Sequence, residues 1–234
     1  MRCNRNSLIR LLIGLLPAIP LLSGALMIDL PRKWNNSFIG DSAVYYAMSD
    51  SIAHDSDLRY THNDLLRITK EWSSGPQGVL LVAHDNGEIY YAKPVVFPLL
   101  SSPFTLLLKS NGILTFNTLC FISILLIGFY GFSYQDCCEW NAVVWTWIFW
   151  GLTVVPAYIF SLTPEIFNAF LIMLGLVPWL AYIRSQEKPK PIKLLLISMI
   201  ILGISAANRP PNGLFILVPL GSLTNDMIPV LKNR

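Results

Sequence analysis

Charged residues are scarce in this sequence of 234 residues. They make up 13% of the chain, whereas hydrophobic residues make up 53%; a typical soluble domain carries about 25% charged residues. This balance excludes an ordinary soluble domain and predicts an all-α protein that crosses a membrane several times, with membrane lipid as its surroundings. The formal net charge of +3 is small, and the basic residues flank apolar runs instead of forming one long run. A nucleic-acid partner is therefore excluded.

Cysteine and histidine motifs are also missing. None of the four cysteines lies in the polar segment 31–93, and no two of them have CxxC spacing. This excludes an external disulfide framework and a cysteine-based zinc site. The three histidines show neither HxxH nor HExxH spacing, which excludes a zincin-type metal site.

Uncharged runs of membrane-spanning length are abundant. The first run, 11–28, follows three arginines, which predicts a retained anchor that starts in the cytoplasm; a cleaved signal peptide ending near Ser23-Gly24-Ala25 is the alternative. Prolines in 94–108 predict an interfacial or re-entrant helix instead of a full span. The further predicted spans are 112–134, 141–162, 166–183, 194–207 and 214–230. About six spans would place both termini in the cytoplasm and segment 31–93 outside the cell membrane.

The polar segment 31–93, called here the outer loop, is the one extramembrane stretch large enough to build a site. The sequence predicts a short helix that opens at Asp41, and the spacing places Tyr45, Met48 and Ile52 on the same face of it. It also predicts a small hairpin between Val79–Ala83 and Glu88–Ala92, because Asp85-Asn86-Gly87 favours a tight turn. We expect the whole chain, 1–234, to form a single membrane module that contains this loop.

Three acidic residues of the outer loop have two interpretations each. Asp41 follows Gly40 at a helix start, where a carboxylate serves either as an N-cap or as a catalytic group. Asp55 and Asp57 lie one residue apart just after the same helix. Paired carboxylates suit a hard divalent cation with oxygen ligands, but two acids in a turn are also common.

Three charged residues beside the predicted spans share the outer side of the membrane with Asp41. Glu165 begins the fourth span, where its charge favours the positive end of the helix dipole. Lys93 and Arg209 are strong cations next to membrane segments, and they could either bind an anionic phosphate or extend towards lipid headgroups. The topology therefore allows one outer-face site, assembled from Asp41, Lys93, Glu165 and Arg209.

Four short motifs occur in order along the chain. Gly40-Asp41-Ser42-Ala43-Val44-Tyr45-Tyr46 follows the first span, and Tyr91-Ala92-Lys93-Pro94 leads into the next apolar segment. Thr163-Pro164-Glu165 and Asn208-Arg209-Pro210 lie at later outer ends. In this order and on one side, the motifs resemble those of the GT-C superfamily of membrane glycosyltransferases, such as protein O-mannosyltransferases and aminoarabinose transferases. The resemblance covers almost the whole chain, which would correspond to the N-terminal module of that superfamily.

This resemblance implies a glycosyltransferase that takes a sugar from a polyprenyl-phosphate donor and gives it to an acceptor of unknown identity on the outer face. Asp41 would be the general base, while Lys93 and Arg209 would bind the donor phosphate. Glu165 and Tyr45 would position the acceptor or a metal, and Asp55 and Asp57 would bind a divalent cation in those members that need one.

The resemblance also has an alternative. Members of the superfamily extend well beyond six spans, so it implies a further C-terminal portion or a partner subunit. A module of this kind could instead be a non-catalytic or degenerate relative that acts as a lipid-binding, transport or scaffold subunit.

Overall fold

The structure is a computed structural model that describes residues 5–34, 38–133, 139–186 and 190–223. It is mostly helical, which is compatible with the predicted all-α class. The chain divides into two compact units, Met1–Ile166 and Phe167–Arg234. That both units act as a single membrane module stays a prediction.

The first unit begins with two helices, α1 (Arg5–Leu15) and α2 (Ala18–Met27), which form a bent pair. The angle between them is 42°. Pro17 stands at the bend, and a proline has no backbone N–H to continue the hydrogen bonds of a helix. The apolar run predicted as the first span therefore forms a broken helix.

Helix α7 (Ser110–Ser133) is the longest helix that the structure describes and runs antiparallel to this bent pair. Near its start, the Asn111 side chain donates a hydrogen bond to the Leu26 carbonyl at 2.9 Å. Near its other end, Phe129 shares a buried cluster with Leu11 of α1. Its range matches the span predicted at 112–134.

The segment predicted as a span at 141–162 is broken and does not form one continuous helix. It consists of α8 (Glu139–Thr146), a π-helical turn at Trp147–Gly151 and a 3-10 helix at Val155–Phe160. At the break, the Trp147 indole donates a hydrogen bond to the Gly14 carbonyl at 2.6 Å. The broken segment still follows the bent pair from end to end, because Glu139 binds Arg10 at 2.5 Å and Phe160 lies against Gly24.

In the described part of the chain, α3 (Leu30–Trp34) leads into the outer loop, which contains α4 (Asp41–Asp55) and α5 (His62–Glu71). The predicted hairpin is confirmed as an antiparallel pair of short strands, β1 (Leu81–Ala83) and β2 (Ile89–Tyr91). Gly87 closes the turn with a φ of +84°, a conformation that glycine adopts without strain. Helix α6 (Val96–Leu108) follows and is separated from α7 by Lys109 alone.

The second unit is built on α9 (Glu165–Arg184) and α10 (Ile192–Asn208), followed by a 3-10 helix at Pro210–Ile216. The two helices are antiparallel, because the Asn208 amide near the end of α10 donates to Asn168 Oδ1 near the start of α9 at 2.7 Å. The predicted span at 214–230 lies partly outside the described residues.

Two of the described helices, α7 and α9, are long and apolar enough to span a membrane, and the bent pair adds a third if it counts as one span. Helices α6 and α10 are apolar but shorter, with 13 and 17 residues. Length and composition thus support fewer spans than the six predicted. The cytoplasmic position of the termini concerns residues 1–4 and 224–234, which lie outside the described part of the chain.

Candidate functional site

Two of the predicted site residues are in direct contact. The Lys93 ammonium lies 2.7 Å from Asp41 Oδ1. Asp41 is the first residue of α4, and Lys93 lies in the short link between β2 and α6. The Asp41 side chain is 58% exposed and that of Lys93 is 24% exposed. A charged pair that is accessible from outside is therefore present where the sequence predicted a site.

Helices α4 and α6 lie side by side and run in the same direction. The Tyr45 and Phe97 rings meet edge to face, with their centroids 5.6 Å apart. One turn further along both helices, the Ser49 and Ser101 hydroxyls form a buried hydrogen bond of 2.8 Å. Both helix N-termini, with their positive dipole ends, are thus directed towards the Asp41–Lys93 pair. Tyr45, predicted to position an acceptor or a metal, has its side chain between the two helices and is 5% exposed.

The start of α4 excludes the N-cap interpretation of Asp41. The cap position is Gly40, and no side chain caps this helix end. Gly40 has a φ of +61° and a ψ of −129°, a conformation that disfavours residues with a side chain. Its backbone is held by Gln77, whose carbonyl accepts a hydrogen bond from the Gly40 N–H at 2.8 Å. The Asp41 carboxylate is therefore not used to satisfy the backbone of its own helix.

Asp55 and Asp57, predicted to bind a metal, have protein partners. Arg67 forms a bidentate ion pair with Asp55, in which Nη1 lies 3.3 Å from Oδ1. Asp57 Oδ1 accepts hydrogen bonds from the Arg59 N–H at 3.0 Å and from the Ser51 hydroxyl at 3.2 Å. In the part of the chain that the structure describes, no three histidine, cysteine or acidic side chains form a metal-binding group. The divalent cation stays a prediction.

Arg67 also binds two carboxylates that sequence analysis did not single out. Its Nε lies 3.0 Å from Asp50 Oδ2, and its Nη2 contacts Asp64. The Asp50 and Asp64 side chains are 8% and 1% exposed.

The Arg67 cluster shifts the pKa values of its members. Burial opposes the charge of Arg67, but hydrogen bonds to Asp55 and Asp50 outweigh this effect and raise the pKa of the guanidinium. Burial raises the pKa of Asp64. Of these contacts, sequence spacing could have predicted only the one between Asp64 and Arg67, because residues three apart are neighbours on one helix.

Glu71 joins three helices behind the site. The Tyr46 hydroxyl of α4 donates to Oε2 of Glu71, the last residue of α5. The Ser110 hydroxyl at the start of α7 donates to Oε1 at 2.7 Å. Burial, followed by the charge of Glu71, raises the pKa of Tyr46 well above its usual range. This network fixes α4 relative to the first long helix of the unit.

Glu165 and Arg209 each lie at the end of a helix. Glu165 begins α9, directly after a loop that Asn117 of α7 holds through hydrogen bonds to the carbonyls of Ser161 at 2.9 Å and Thr163 at 3.2 Å. Arg209 belongs to the second unit, where its N–H caps the end of α10 by donating to the Ser205 carbonyl at 2.9 Å. The convergence of both residues on Asp41 and Lys93 stays a prediction.

The site combines an accessible carboxylate, an ammonium group and two helix N-termini. A carboxylate can accept a proton from a hydroxyl or amide, and an ammonium beside helix N-termini can stabilise an anionic oxygen. No protein-family model matches the chain, and comparisons with curated proteins and with solved structures give no match.

Proposed function

We propose that this protein is a membrane glycosyltransferase that transfers a sugar from a polyprenyl-phosphate donor to an acceptor at the outer face of the cell membrane. The observation that carries the proposal is the 2.7 Å contact between Asp41 and Lys93 on an accessible surface. In this pair, Asp41 would accept a proton and Lys93 would bind a phosphate, and such a transfer needs both groups. The order of the motifs around these residues supports the same reaction.

The reaction is a direct displacement at the anomeric carbon. The acceptor oxygen or nitrogen attacks that carbon, and its proton passes to the Asp41 carboxylate. The bond between the anomeric carbon and the phosphate oxygen breaks, and its electron pair stays on the phosphate. Lys93 stabilises this leaving group, assisted by Arg209, and the configuration of the sugar is inverted.

The ion pair also suggests an order of binding. While Lys93 occupies Asp41 Oδ1, that oxygen is not available to an acceptor proton. A donor phosphate would draw the ammonium away, because a phosphate carries more negative charge and more acceptor oxygens than one carboxylate. The donor would therefore bind first and release Asp41 for the acceptor. Glu165 and Tyr45 would position the acceptor or a divalent cation.

The membrane arrangement is part of this proposal. Helix α10 buries the polar residues Ser198, Ser205 and Asn208 together with Leu195 and Leu202, and it exposes apolar residues such as Leu196 and Ile200. Polar residues inside and apolar residues outside are expected for a helix in lipid, so the pattern supports a crossing at α10 in spite of its 17 residues. Together with the bent pair, α7, the broken segment, α9 and 214–230, α10 would complete six crossings with both termini in the cytoplasm.

The test uses the full chain in liposomes with radiolabelled polyprenyl-phosphate hexoses and pentoses and a mixture of lipid, peptide and saccharide acceptors, and it follows the loss of label from the donor. We expect Asp41→Asn to abolish consumption of the donor while protein yield and elution profile stay unchanged. The control is Asp85→Asn, in the exposed turn of the hairpin, which should retain activity. Turnover that survives Asp41→Asn would exclude Asp41 as the base.

The same ion pair also fits the alternative of a non-catalytic subunit, because an exposed carboxylate and ammonium can form a surface salt bridge without a substrate. In that case no donor in the panel is consumed by the unmodified protein. Asp41-dependent consumption of any polyprenyl-phosphate sugar would exclude this alternative.

A further inference from the structure

Helix α6 buries its hydroxyl residues, together with Phe97 and Pro98, and exposes its leucines. Its buried face carries the hydroxyl groups of Ser101, Ser102 and Thr105, which are at most 7% exposed. Its outer face carries four leucines, whose exposed fractions are 53% for Leu99, 47% for Leu100, 52% for Leu106 and 79% for Leu107. Positions 99, 100, 106 and 107 recur at the spacing of one helix face. The leucines therefore form one continuous stripe, called here the leucine face.

The buried hydroxyls are satisfied inside the protein. Thr105 donates to the Ser101 carbonyl at 3.2 Å, and Ser102 donates to the Leu99 carbonyl at 2.9 Å. Ser101 pairs with Ser49 of α4. The polar face of α6 is therefore occupied by its own backbone and by α4, and the leucine face is the side that is left outside.

Helix α5 in the same unit exposes a mainly polar face. Its exposed positions are His62, Asn63, Leu66 and Lys70, and its buried residues are Ile68 and the ion-paired Asp64. A capping box between Thr61 and Asp64 closes its start, as is common in water-soluble helices. Two helices of one unit thus face different surroundings, and α5 provides an internal reference for water.

Two features indicate what covers the leucine face. Isolated exposed leucines are ordinary, but a continuous apolar face marks a contact with lipid or protein. Helix α6 leads through Lys109 directly into α7, a helix long and apolar enough to span a membrane. Lys93 precedes α6, and Lys109 follows it on the exposed surface. An apolar helix with a lysine at each end, joined to a spanning helix, matches a helix that lies at a lipid boundary.

We propose that the leucine face of α6 is embedded in the acyl chains of the bilayer, so that the membrane boundary runs along α6. Asp41 and Lys93, beside the N-terminal end of this helix, then lie where lipid headgroups are within reach. Thirteen residues span about 20 Å, which is too short to cross the hydrocarbon core of about 30 Å. Helix α6 therefore enters one leaflet without crossing the membrane. The proposal rests on surface chemistry and does not depend on catalysis by Asp41.

The experiment places a single cysteine with a nitroxide spin label at Leu99, Leu106 or Leu107, one position at a time. The full chain has its other accessible cysteines replaced by serine and is reconstituted in phosphatidylcholine–phosphatidylglycerol liposomes. The control carries the label at Asn63 on α5. Power-saturation measurements compare the collision of each label with oxygen, which concentrates in lipid, and with a water-soluble nickel chelate.

We expect oxygen collisions to exceed nickel collisions at all three leucine positions and the reverse at Asn63. Nickel collisions that match those at Asn63 would show that the face is in water and would overturn the proposal. Labels that neither reagent reaches would show that a second copy of the chain or another part of it covers the face, which would also overturn it. No substrate is present, so the result is independent of the transferase assay. The use of three positions ensures that one poorly folding variant does not decide the outcome.

Discussion

Lys93 Nζ lies 2.7 Å from Asp41 Oδ1, and this contact joins the start of α4 to the link that precedes α6. The two residues are far apart in sequence, and they meet because the two helices run in parallel with their polar starts at the same end. The hydrogen bond between Ser49 and Ser101 maintains that register two turns away. The pair is thus placed by packing and remains accessible to a ligand.

The first prediction separates a functional ion pair from a structural one. Asp41 is 58% exposed, and an exposed pair of this kind contributes about 0–1 kcal/mol to stability because water screens it. Asp41→Asn should therefore change the free energy of unfolding by no more than about 1 kcal/mol while abolishing sugar transfer. Thermal unfolding in detergent measures the first effect. A loss of several kcal/mol would identify the pair as structural.

The second prediction concerns Arg67. Arg67→Met would leave the buried carboxylates of Asp50 and Asp64 without their cation. Removal of one partner of a buried ion pair costs about 3–5 kcal/mol. The matched control is Arg59→Met, because Arg59 is 51% exposed and pairs with Glu88 on the surface, where the expected loss is about 1 kcal/mol or less. Equal losses in the two variants would show that Arg67 has no special role in the outer loop.

The third prediction concerns pH. Burial and the charge of Glu71 raise the pKa of Tyr46 in the folded protein. The stability that this tyrosine contributes is complete below its unfolded pKa of about 10, and it is lost as pH rises towards the folded pKa. Between these two pKa values the free energy of unfolding should fall by about 1.4 kcal/mol per pH unit for each such group.

Tyr46→Phe should therefore make the alkaline decrease in stability less steep. It does not remove the decrease, because burial also raises the pKa of Tyr91. The control is Tyr130→Phe, since Tyr130 is 46% exposed. Unfolding temperatures measured between pH 8 and pH 11, with that range chosen around the tyrosine pKa of about 10, test the difference. An unchanged slope in Tyr46→Phe would contradict the prediction.

The fourth prediction concerns the contact between α6 and α7. A Cβ atom at Gly112 would lie 2.2 Å from the Phe104 carbonyl oxygen. The backbones must separate to accept it, so Gly112→Ala should destabilise the unit by about 1–3 kcal/mol or more. Gly131 is on the same helix with nothing within 4 Å of such an atom. Gly131→Ala should be neutral or stabilise by up to about 1 kcal/mol. Similar unfolding temperatures for the two variants would show that the close approach is unimportant.

Local chemistry predicted several elements well. The turn at Asp85-Asn86-Gly87 forms because Gly87 accepts a positive φ, and the helix that opens at Asp41 forms with the expected start. Periodicity was less reliable. Residues 43–51 of α4 are all buried, so the single face predicted for Tyr45 and Met48 does not describe this helix. A helix enclosed on all sides has no amphipathic pattern to read.

The break in the segment 141–162 could not be predicted from composition. The segment is uniformly apolar, as α7 is, and apolar composition alone favours one continuous helix. Its actual path depends on contacts with α1, such as the hydrogen bond from Trp147 to Gly14. The Arg67 cluster was missed for the same reason, because Asp50 reaches Arg67 only after α5 folds back against α4.

Composition and short-range spacing are enough to predict that this protein is helical, apolar and poor in charge, and that its polar chemistry is concentrated in the outer loop. Three features become visible only in the folded protein: Lys93 meets Asp41, Arg67 binds three carboxylates, and α6 turns its hydroxyls inwards and its leucines outwards. These features depend on which helix faces are buried against each other. Burial depends on contacts between residues distant in the chain, and these contacts cannot be predicted from short-range sequence patterns.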